Sequence, residues 1–253
     1  MQYKNNYLKN VIFRIDFLNP LSEGKKLIDS FYSLIKDVFP KKEKIERTVI
    51  HSQVVTQKDR NSVSQSIEKV TDYKFSDENQ EKVLMLEPKS NINISIKTYE
   101  NSIKLKEIIG LAIDAVIKIY GDIAIKRTGL RYINDISLPE GNAFDWAAFI
   151  NRSLIANLDF LPEKDNLSRS MGSMELNREN HKVLFQYGMY NPDYPNLIAQ
   201  RVFVLDFDCY TTDELNASDI MKTVEMLQKD EEELFERSIE NGLREMMVVV
   251  PDE

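Results

Sequence analysis

Asp206 and Asp208 stand two residues apart in the stretch LDFDCY. Alternation along an extended chain puts both carboxylates on one face, with Phe203, Leu205, Phe207 and Cys209 on the other. Two carboxylates on one strand face are the beginning of a Mg²⁺ site for phosphoryl transfer. The rest of such a site is thin. MGSMEL (171–176) places a Gly-Ser pair ahead of Glu175, but the nucleotidyltransferase arrangement opens a helix with its Gly-Ser and sets two acids on the next strand. Here the next extended stretch, 181–190, carries no acid. Metal-dependent phosphate chemistry on Asp206, Asp208 and Glu175 is therefore the alternative expectation, behind a binding role without catalysis.

Other catalytic sets are missing from the pattern. The two histidines, His51 and His181, have neither each other nor the single cysteine at a zinc-site spacing. Cys209 falls on the apolar face of its strand, and no G-x-S-x-G elbow, Walker loop or G-x-G-x-x-G occurs. No catalytic residue, metal or cofactor is expected. KDEEELFE (229–236) is an acidic run on a helical pattern, and it reads as a solvated face with Leu227, Leu234 and Phe235 turned to the core.

GLRYINDI (129–136) concentrates hydrogen-bonding side chains in an otherwise apolar stretch. As a strand it sends Gly129, Arg131, Ile133 and Asp135 to one face, and Leu130, Tyr132, Asn134 and Ile136 to the other. A guanidinium in such a place needs a carboxylate, and Asp206, Asp208 or Asp16 of the first strand are the candidates. Such a pair can fix strand order, or it can belong to a polar groove that binds. On the second reading the binding residues are Arg131, Tyr132, Asn134, Asp206 and Asp208.

The elements that must position these residues follow from periodicity. VIFRIDF (11–17) alternates as a half-buried strand, and a helix with Leu27, Phe31, Leu34, Ile35 and Val38 on one stripe follows it. Strands are expected at 47–55, 72–75, 82–88 and 91–99. An apolar helix at 102–120 should end at Gly121. The second half runs through a strand at 123–136, a helix near 143–156 carrying Trp146, Phe149, Ile150 and Leu154, strands at 168–176, 181–190 and 200–210, and a helix at 218–241 capped by Gly242. The matched order predicts an α+β protein of two β-α-β-β-β-α repeats, 1–121 and 122–253, packed tightly through an antiparallel sheet with the helices on one face.

The chain has 253 residues, a hydrophobic fraction of 42% and a net charge of −8. That is a globular composition, and its acidity argues against general nucleic-acid binding. MQYKNNYLKN lacks a long apolar stretch, so no secretory leader is expected, and IIGLAIDAVIKIYG (108–121) is too short and too charged to span a bilayer. One cysteine suits a reducing cytoplasm.

FP (39–40) after the first helix, the central L-R-Y-x-N of Leu130, Arg131, Tyr132 and Asn134, and LDFDCY before the last long helix resemble a sporadically distributed bacterial family of unknown function. The resemblance covers most of the chain and supplies no catalytic residues. Its patchy distribution implies an association with mobile or defence islands. The expectation is a binding or regulatory protein that recognises a protein partner or small ligand in a groove between its halves.

Overall fold

The computed structural model describes residues 2–57, 60–160 and 162–250. In chain order the strands and helices of the first half are β1 (Gln2–Tyr3), β2 (Leu8–Phe17), α1 (Lys25–Ile35), β3 (Lys41–Gln57), β4 (Arg60–Ser76), β5 (Lys82–Glu87), β6 (Asn91–Ile96) and α2 (Ser102–Tyr120). The second half continues with β7 (Ala124–Ser137), α3 (Arg152–Ile155), β8 (Ser170–Asn177), β9 (Lys182–Met189), β10 (Val202–Thr211), β11 (Leu215–Asn216), α4 (Ile220–Ser238), α5 (Asn241–Met247) and β12 (Val249–Val250).

The architecture is α+β. Ten strands form one antiparallel sheet in the order β3-β4-β5-β6-β2-β7-β10-β9-β8, with β11 beside the start of β7. The first strands that the two halves give to this sheet, β2 and β7, pair at its centre and carry it across the boundary between them. β1 and β12 make a separate two-stranded pair. Alternation in β2 buries Val11, Phe13, Ile15 and Phe17, and the matching residues of β6, β7 and β10 join the same core. The helices α1, α2 and α4 cover that side; α2 touches both others, and α4 lies over β7 and β10. No helix among the described residues is long and apolar enough to cross a membrane.

Local chemistry explains the firmest boundaries. The Asn101 side chain accepts the Lys104 N–H and opens α2, a cap of the kind that contributes about 1 kcal/mol. Gly121 closes α2 at φ 82°, a conformation glycine enters without steric cost.

Three expectations need correction. The strand count departs from β-α-β-β-β-α: four strands, β3–β6, separate α1 from α2, and four, β8–β11, separate α3 from α4. The long 17-residue strands of the β3–β4 hairpin have no counterpart in the second half. The helix expected near 143–156 shrinks to the single turn Arg152–Ile155. Asn142 takes the Phe144 N–H on its side chain, and the Trp146 indole N–H donates to the Ala143 carbonyl. Such local bonds offer the backbone an alternative to the helix, and burial of Trp146 against Phe203 holds the result. Gly242 does not cap α4. It is the second residue of α5, where a Cβ would sit 2.6 Å from the Ala148 carbonyl oxygen.

Candidate functional site

β7 is the hinge of the site because its two faces do different things. Arg131 points to the face that no helix covers, whereas Tyr132 and Asn134 are buried on the helix side. The five expected binding residues therefore fall into two groups: Arg131, Asp206 and Asp208 on the open face, and Tyr132 and Asn134 beneath the helices.

On the open face the charges are matched. Arg131 donates from Nε to Asp206 Oδ1 at 2.8 Å and from Nη2 to Oδ2 at 2.6 Å. Asp208 sits directly opposite Arg131 in the ladder, so the Arg131–Asp206 bond runs diagonally between β7 and β10. Arg127 Nη2 lies 3.5 Å from Asp208 Oδ2, with its guanidinium over the Tyr210 ring. Burial raises the Asp208 pKa, while Arg127 and Arg131 pull it back. Asp16 bonds its neighbour Arg14 at 2.6 Å. A guanidinium already holds both oxygens of Asp206, and Glu175 lies across β9 from Asp208 with Leu184 in the row between them. Gly172 and Ser173 sit mid-strand in β8 and not on a helix-opening turn. Among the described residues no group of three or more His, Cys, Asp or Glu side chains is arranged to hold a metal ion.

The histidines stand apart. His181 Nε2 meets Asp230 Oδ2 at 2.9 Å, tying the β8–β9 turn to α4. His51 is in β3, but its side chain lies outside the described residues.

On the helix side, a cavity of about 300 Å³ opens between the halves. Tyr3 and Tyr7 of the N-terminal segment, Tyr99 of the β6–α2 loop, Tyr132 and Asn134 of β7, and Glu231 of α4 form much of its wall. Asn134 is anchored by donating to the Leu205 carbonyl at 3.2 Å. Glu236, at the rim, accepts from the Tyr3 hydroxyl at 2.5 Å and pairs with Arg244 at 3.1 Å. Two groups are left over. The Tyr132 hydroxyl and both oxygens of the fully buried Glu231 have no hydrogen-bond partner of good geometry among the described residues. Burial raises the Glu231 pKa well above the usual carboxylate range and the negative Asp208 adds to it; the nearby backbone and thiol of Cys209 moderate the effect. Burial also raises the Cys209 thiol and the Tyr132 hydroxyl, and pushes Tyr99 up to about 12.

Glu231 is the site residue that the acidic run concealed. Its position was legible: it follows Leu227 by four residues and precedes Leu234 by three, which puts it on the buried stripe of α4. Compared with known proteins, the chain matches no protein-family model and no curated protein.

Proposed function

We propose that this chain is a non-enzymatic binding or regulatory protein that captures a small ligand in the cavity between its halves. The observation that carries the reading is a pair of buried groups without well-formed hydrogen bonds, Glu231 and the Tyr132 hydroxyl, on residues that line one cavity with walls from both halves. Buried polar groups in folded proteins nearly always have partners, and leaving one without costs about 1–3 kcal/mol. A ligand that satisfies both groups would recover that cost. The pocket is at the small end of the range for ligand sites, roughly 300–1,000 Å³. Metal-dependent phosphate chemistry at Asp206, Asp208 and Glu175 has less support, because Arg131 already holds Asp206 on the far side of the sheet.

The wider setting belongs to the same proposal. The halves are diverged copies of one strand-helix-strands-helix unit, and each supplies a wall. The L-R-Y-x-N core of Leu130, Arg131, Tyr132 and Asn134 joins the chain to the sporadic bacterial family it resembles, with its mobile or defence setting. The protein works in the cytoplasm, where its one cysteine stays reduced.

A fragment titration read on the Met247 methyl resonance tests the reading, since Met247 lines the cavity. Bound fragments should shift that methyl, and Leu8→Trp, which fills the space from the N-terminal wall, should abolish the shift. Binding that survives Leu8→Trp but disappears in Arg131→Ala would move the site to the open face and overturn the proposal.

A further inference from the structure

We infer that the buried end of the ligand is an organic cation carrying N–H donors, seated between Glu231 and the rings of Tyr99 and Tyr132. The inference rests on the cavity being the binding site and adds the ligand's chemical class. Its first support is charge. Glu100, Glu231, Glu232 and Glu236 line the cavity, and no Lys, Arg or His does so among the described residues. Arg244, which reaches the rim through Glu236, is engaged by that carboxylate at 3.1 Å. An anion would meet four glutamates there and no cationic side chain among the described residues.

The second support is independent of the acidic lining. Glu231 is 0% exposed and Tyr132 7%, both residues line the same cavity, and their buried oxygens lack hydrogen-bond partners of good geometry among the described residues. Left alone, Glu231 keeps its proton in such a place; it can ionise there only beside a charge of opposite sign, and no cationic side chain lines the cavity among the described residues. An ammonium or guanidinium group would donate to Glu231 with one N–H and to the Tyr132 oxygen with another.

Third, the wall is aromatic. Tyr99 and Tyr132 tilt at 58° with ring centroids 5.9 Å apart, and Tyr3, Tyr7 and Phe235 continue the lining. Ring faces attract cations, more strongly when the site excludes water. A bare metal ion fits poorly. It needs several oxygens converging at about 2.0–2.6 Å, and no metal-holding cluster occurs among the described residues. The volume of about 300 Å³ equals that of roughly ten liquid waters, which suits a small organic molecule.

The test uses the full chain and three probes of similar shape: n-butylammonium, n-butanol and butyrate, titrated by calorimetry and by the Met247 methyl shift. Butylammonium should bind about tenfold or more tightly than butanol, a gap of about 1.4 kcal/mol, and butyrate should not bind. Glu231→Gln, which keeps the shape and removes the charge, should bring butylammonium down to the level of butanol. Tyr132→Phe should weaken it by a smaller factor. Equal binding of butanol and butylammonium to the unaltered protein would overturn the cation while leaving the cavity reading in place. No methyl shift with any probe would overturn both. Butylammonium binding that is undiminished in Glu231→Gln would also overturn the inference, and the preference measured on the unaltered chain decides the matter even should that variant fold poorly.

Discussion

The two faces of β7 handle charge in opposite ways. On the open face, Arg131 is held by both oxygens of Asp206, and Arg127 stands by Asp208. On the helix face, Glu231 is fully buried and neither it nor the Tyr132 hydroxyl has a well-formed hydrogen bond, with only looser contacts to Cys209 and Tyr99. The conspicuous charges are the settled ones. They hold β7 to β10 at the centre of the sheet, and that is a structural task. The unsettled polar groups lie where the surface hides them, and an unsatisfied group is where a ligand has free energy to gain.

The largest effect that can break this contrast is on Arg131. Its side chain is 38% exposed and that of Asp206 is 11% exposed, so the pair falls between an exposed bridge and a buried one. Arg131→Ala strands a largely buried carboxylate and should lower stability by about 2 kcal/mol, between the exposed and buried limits. Arg131→Lys should recover part of that, because an ammonium cannot reproduce the two-pronged geometry. Asp206→Asn should cost less than Arg131→Ala, since the guanidinium it releases reaches water. Denaturant midpoints check all three. If Arg131→Ala left stability untouched and abolished ligand binding, the open face would be the recognition surface and the contrast would be inverted.

A smaller effect is expected across the sheet, with the opposite sign. Glu231 in the folded chain holds its proton more tightly than it does unfolded, because burial penalises the carboxylate. A folded-state pKa raised above the unfolded value favours folding below the unfolded pKa, and that advantage is lost as pH rises. Glu231→Gln should therefore be more stable than the original chain in neutral and alkaline solution, by something on the order of 1 kcal/mol. The gain should shrink as pH falls toward about 4.3, the ordinary glutamate value. A variant less stable than the original at alkaline pH would mean that Glu231 has a structural partner, and the cavity would lose its leading group.

The fold was legible where one rule decided the matter. Alternation in β2, β7 and β10 assigned each side chain to its face, and Gly121 marked the end of α2. It was lost where tertiary bonds compete with local pattern. Trp146, Phe149, Ile150 and Leu154 have helical spacing, yet Asn142 and the Trp146 indole divert the backbone into turns. The pairing of N-terminal β1 with C-terminal β12 had no signal in two residues of each. The site was half legible. L-R-Y-x-N put Tyr132 and Asn134 on one face, but nothing in β7 itself says that a carboxylate from α4 meets them. Counting Glu231 with its acidic neighbours hid it, because composition was weighed ahead of its place on the helix.

The smallest expected effect sharpens the account of the open face. Gly129 opens the motif, and a methyl added there would come within 2.9 Å of Arg127 Nη1 and 3.3 Å of its Cζ. Those atoms are the far end of a flexible side chain, and Gly129 is in a regular strand with no positive φ. Gly129→Ala should therefore push the Arg127 guanidinium off the Tyr210 ring and away from Asp208, leaving the backbone where it is. The pair given up is a 3.5 Å contact between quarter-exposed side chains, worth about 0–1 kcal/mol. Against this, alanine restricts the unfolded chain and returns about 0.4–1 kcal/mol. The two nearly cancel, so the denaturant midpoint should move by no more than about 0.5 kcal/mol, and butylammonium affinity should not move at all. A loss as large as that of Arg131→Ala would show that Arg127 cannot yield. The open face would then be a rigid interlocked lattice, with Gly129 required for its close packing.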